Sequence, residues 1–167
     1  MNRETLFLII SPLFLIFLQV FLCNHLNILG HINPMVYLYF FVFHRLDTNQ
    51  SVFIALAFGI GFVLDILTQG AGAYTISTLT IAFLRPRIMA LNFSDSLQET
   101  SPTLSQIPFY KQFLFSMWIV LLHHFLYFLV VYFSFSALLT ILKQTFLFGI
   151  FTLTFLWVGH LFFRVKK

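Results

Sequence analysis

Residues 52–89 read VFIALAFGIGFVLDILTQGAGAYTISTLTIAFLRPRIM. An apolar run over 52–67, broken only by Asp65, leads into a glycine-bearing stretch at 69–74 and then into a second apolar run, 73–84, which meets Arg85 and Pro86. Gly70 and Gly72 suit a tight turn between two helices. Neither run alternates with charge as a water-facing helix does, so the pair reads as a hairpin whose outer faces meet lipid.

The rest of the chain has the same character. Of 167 residues 60% are hydrophobic and 8% charged, where a soluble domain carries about 25% charge. The 25 phenylalanines alone, with the leucines and isoleucines, exceed what one soluble core of this length hides. Apolar stretches lie at 6–22, 32–43, 52–67, 73–84, 113–133 and 146–163. A crossing needs roughly 20 residues, so the expected fold is an all-α, polytopic integral membrane bundle of about six transmembrane helices. It forms a single domain over 1–167. The second and fourth stretches are short, about 18 Å as helix, and must borrow flanking residues, thin the bilayer or dip in and return.

Charge orients the bundle. With the N-terminus inside and six crossings, Arg3, Arg45, Arg85, Arg87, Lys111, Arg164, Lys166 and Lys167 face the cytoplasm and Lys143 alone lies outside. Both termini are then cytoplasmic. Losing one crossing inverts every later loop and spoils the bias. Losing both short ones moves only Arg45, so four spans with two re-entrant segments is the competing topology. The formal +4 is scattered singly between apolar runs, which does not describe a nucleic-acid surface. The run at 6–22 has no small-residue cleavage pattern after it and reads as a retained anchor. The polar stretch 92–106, with Asp95, Glu99 and Pro102, reads as a solvated cytoplasmic connector.

Local signals place a few residues. Asn33 can cap the second stretch with Pro34 in its first turn, and Arg85 with Pro86 closes the fourth. Asp65 is the one acid inside an apolar run and shares a face with Ala57 and Gly61 at i, i+4 and i+8, so it points into protein. It is an interfacial cap or turn residue, or a buried structural partner of Thr68, Gln69, Tyr74, His25 or His31, and both readings stand ahead of a proton relay, which lacks a second acid. His123 and His124 are adjacent, about 100° apart on a helix, and cannot chelate as an i, i+4 pair. Ser116, His123, Tyr127 and Ser134 form a polar seam at heptad-like spacing, while Thr145, Gly149, Thr152 and Gly159 form a small-residue stripe. Cys23 is the single cysteine. No G-x-S-x-G, H-E-x-x-H or paired intramembrane acid occurs, so the reading assigns no catalytic, metal or cofactor residue and expects no enzyme.

Asn33, Pro34 and the run MVYLYFF at 35–41, followed by the Gly59, Gly61, Asp65 helix, the Gly70 and Gly72 turn and the Leu84, Arg85, Pro86 exit, resemble the bacterial rod-shape-determining MreD family. The resemblance implies a non-enzymatic inner-membrane scaffold of the elongasome. It would bind MreC and link MreB to the peptidoglycan synthases, the RodA-type glycosyltransferase with its class B penicillin-binding protein. That family is similar in fold to the substrate-binding subunits of energy-coupling-factor vitamin transporters, which supplies the alternative function. Those subunits dock through an Ala-x-x-x-Ala surface in the first span, and residues 6–22 contain neither Ala nor Gly.

Overall fold

A computed structural model of the chain describes residues 3–28, 30–44, 48–93 and 107–164. Arg45, the connector residues Asp95, Glu99 and Pro102, and Lys166 and Lys167 lie outside the described residues. The elements are α1 (Arg3–Phe21), a 3-10 turn (Cys23–His25), α2 (Leu38–Phe43), α3 (Gln50–Thr68), α4 (Ala73–Phe93), α5 (Phe109–Tyr132), a second 3-10 turn (Phe135–Ala137) and α6 (Leu138–Arg164). The protein is thus an all-helical bundle. Among the described residues three helical segments, Gln50–Thr68, Phe109–Tyr132 and Phe135–Phe162, are long and apolar enough to cross a membrane, and Ile10–His25 is a shorter apolar helix.

The helix boundaries follow local chemistry. Asn49 starts α3 by accepting the Ser51 N–H, 2.9 Å, on its side-chain oxygen. Gln69 ends α3 in the left-handed region at φ 56°, and Gly72 at φ 88° turns the chain into α4. Pro108 precedes the first turn of α5, where its missing N–H is harmless.

Two sequence expectations are corrected. The stretch 32–43 is not one helix capped at Asn33, because only Leu38–Phe43 is helical. Asn33 instead accepts the Asn27 N–H at 2.8 Å, and the Pro34 carbonyl accepts from Gln19 Nε2 at 3.2 Å. Ile32, Met35, Val36 and Tyr37 are buried in protein. Neighbouring helices can therefore satisfy an unwound backbone, as Thr152 does for the Met35 N–H. The fourth stretch does not stop at Arg85 and Pro86, for α4 runs through both to Phe93. It reaches about 31 Å by borrowing the residues after the proline.

Ring and hydrogen-bond contacts set the directions. Gln50 meets Ala82 and Asp65 meets Thr75, so α3 and α4 are antiparallel. Tyr74 lies 4.8 Å from Tyr127 and Phe93 5.1 Å from Phe115, which makes α5 antiparallel to α4. His124 with Thr152 and Phe109 with Trp157 do the same for α5 and α6. Met35 sits by Thr152 and Phe43 by His160, so the segment around α2 runs with α6. Successive traverses therefore alternate. One end carries Pro34, Asp65, the glycine turn and Tyr127, and the other carries Gln50, Arg85, Phe93 and His160. A single core joins them through Ile16, Phe41, Phe53, Ile81, Ile119 and Leu156.

Candidate functional site

Asp65 is the joint of the α3–α4 hairpin. Its backbone carbonyl accepts the Gly70 N–H at 3.0 Å, which closes α3. Its carboxylate turns toward α4, accepting from the Tyr74 N–H at 3.2 Å, the Thr75 N–H at 2.8 Å and the Thr75 hydroxyl at 2.6 Å. One residue thus ends one helix and caps the next. The carboxylate meets N–H groups that have no intrahelical partner and sits at the positive end of the α4 dipole. Of the partners expected from sequence Tyr74 contributes, through its backbone. Thr68 donates to Leu64 O instead, and Thr75 is the partner that sequence reading missed.

Small residues let the hairpin close. A Cβ on Gly61 would lie 2.6 Å from Thr75 Cα and would also strike the Thr78 hydroxyl. Ala57 O accepts from that hydroxyl at 3.0 Å. On Gly70 a Cβ would stand 2.6 Å from the Tyr74 ring. Gly59 and Gly159 are different, with nothing within 4 Å of a built Cβ, so neither serves close packing inside the bundle.

At the other end Arg85 does not reach out to an interface. It is 4% exposed, donates from Nε to Phe41 O at 2.9 Å and from Nη2 to His44 O at 2.8 Å, and lies over the Phe53 ring at 4.6 Å. The fork thereby caps the last turn of α2, whose carbonyls have no helical partner. Arg87 is exposed, its guanidinium over Phe83. Pro86 lacks the N–H that would bond Ala82 O, and Gln50 Nε2 supplies the donor at 2.8 Å. That substitution is why α4 survives its proline.

Between the two ends runs a polar seam. Thr152 Oγ1 accepts the Met35 N–H at 3.1 Å and contacts His124 Nε2 at 3.2 Å, while His124 Nδ1 lies 2.8 Å from Val120 O. A carbonyl can only accept, so Nδ1 carries the proton and Nε2 accepts from Thr152. His123 Nε2 pairs with the Tyr37 hydroxyl at 3.0 Å. Both histidines are fully buried, as is Ser116, and Tyr127 packs on Tyr74, whereas Ser134 sits in an exposed turn and leaves the expected seam.

No family model, curated protein or solved structure matches the chain. Among the described residues no cluster of three His, Cys, Asp or Glu could hold a metal ion. Asn33 and Pro34 stand apart from the hairpin joint, Gly61, Asp65, Gly70 and Gly72 are brought together in it, and Arg85 and Pro86 form the second joint. Gln19 and Gln50 were missed. A polar residue inside or just before an apolar run was the only available signal for either.

Proposed function

We propose that the chain is a six-crossing scaffold of the bacterial cell-elongation machinery, an MreD-type protein of the inner membrane with both ends in the cytoplasm. It binds MreC, and with it MreB, the RodA-type glycosyltransferase and its class B penicillin-binding protein. The carrying observation is the Asp65 joint. Four of the residues on which the family resemblance rests, Gly61, Asp65, Gly70 and Gly72, converge in a joint that ties α3 to α4. The alternation of traverses supports six crossings, and buried polar groups that bond one another across helices suit a body that presents outer faces to partners.

A second reading, the substrate-binding subunit of an energy-coupling-factor transporter, is favoured by one feature. A half-open depression of about 300 Å³ lies between the glycine turn and α5, lined by Gln69, Tyr74, Tyr127 and Val131 among others. Its size is at the lower bound for small-molecule sites. Crosslinked co-purification from native membranes decides between them. Recovery of a shape-complex partner is expected, and recovery of a transporter ATPase would overturn the scaffold.

A further inference from the structure

The turn joining α5 to α6 ends α5 on a phenylalanine rather than a glycine. Phe133 is left-handed at φ 41° and 90% exposed, and Phe135, two residues on, is 92% exposed. On either side of Phe135, Ser134 and Ser136 bond to each other at 2.8 Å and shape the turn. Leu139, in the first turn of α6, is 82% exposed, and Lys143 follows one helical turn later on the same face, also exposed. Phe128 and Phe148 touch across the hairpin, 5.1 Å between ring centroids. Lys143 and Phe133 are each about 7–8 Å further along their helices, so the ammonium and the rings top the same hairpin.

We infer that this knuckle is a docking site for anionic phospholipid at the membrane interface, with Phe133, Phe135 and Leu139 as its apolar surface and Lys143, whose side chain reaches toward the turn, on the headgroup phosphate. Charge selects that occupant. The chain carries no Asp or Glu from residue 107 onward. The acid described at this end, Asp65, is turned into the N-terminus of α4, so the knuckle offers apolar surface and one unopposed cation. An amphiphile with acyl chains and an anion complements both. The assignment rests on the bilayer-spanning reading above.

Photocrosslinking tests it. The purified full-length protein, with benzoyl-phenylalanine at position 135 or, as a control, at the outward-facing position 62 of α3, is reconstituted in mixed phosphatidylcholine and phosphatidylglycerol vesicles and irradiated. Position 135 should yield lipid adducts enriched about fivefold in phosphatidylglycerol over its mole share, the effect of one cation at an anionic surface. Lys143→Gln should return the ratio to bulk composition, and position 62 should show bulk composition throughout. Adducts at 62 but none at 135, enrichment that ignores Lys143→Gln, or a protein adduct at 135 in native membranes would each overturn the knuckle assignment. Absence of lipid adducts at both positions would instead defeat the spanning reading on which it rests.

Discussion

At Asp65 three donors meet one carboxylate, two of them backbone N–H groups that α4 cannot satisfy itself. Asp65→Asn keeps one acceptor oxygen but turns an amide donor toward one of those N–H groups, and Asp65→Leu leaves all three donors without it. Loss of a cap costs about 1 kcal/mol and an unsatisfied buried group about 1–3 kcal/mol. Accumulation in membranes and detergent thermal stability should therefore fall in the order wild type, Asn, Leu, with Thr75→Val near Asn. A chain in which Asn behaves as badly as Leu while Glu behaves as wild type would show that acidity rather than hydrogen bonding is what the position supplies.

At the scale of the helix, the proline in α4 and the glutamine at the start of α3 form one device. Gln50→Ala leaves Ala82 O without a donor and should cost about 1 kcal/mol. Pro86→Ala restores a backbone N–H to that carbonyl, so the double variant should regain most of the loss. A double-mutant cycle with no coupling between 50 and 86 would refute the pairing. Glycines of α3 divide in the same testable way. Gly61→Leu drives a side chain into Thr75 and Thr78 and should damage assembly by more than about 3 kcal/mol of overpacking. Gly59→Leu enters open space and Phe62→Leu trims an outward ring, so both should accumulate normally. Equal loss for Gly59→Leu and Gly61→Leu would mean that α3 packs with the other face inward.

For the molecule as a whole the sidedness of the two ends is the central expectation. Cys23 is buried, and Cys23→Ser removes its thiol altogether. In that background Gln69→Cys should label from outside and Arg87→Cys from inside, both side chains being exposed. Reversed labelling of the two would invert the bundle, and labelling of both from one side would place α4 as a segment that enters and returns.

Solvent, class and hairpin were written in composition and local pattern. Lipid as solvent follows from apolar surface in excess of any core, a sum over residues that needs no fold. The α3–α4 turn follows from Gly70 and Gly72, whose backbone freedom acts within a few residues. The inward face of α3 follows from helical period alone, which is why Ala57, Gly61 and Asp65 were legible together. Four features depended on distant parts of the chain. Arg85 looks like an interfacial arginine until Phe41 and His44 stand opposite it. Pro86 looks like a stop until Gln50 replaces its hydrogen bond, Asn33 looks like a cap until the unwound segment beside it is satisfied by Gln19 and Thr152, and Thr75 is invisible as the partner of Asp65. In each case the deciding quantity is where a backbone donor or acceptor finds its partner. Inside a packed bundle that partner is a side chain from another helix, and only the tertiary structure brings it there.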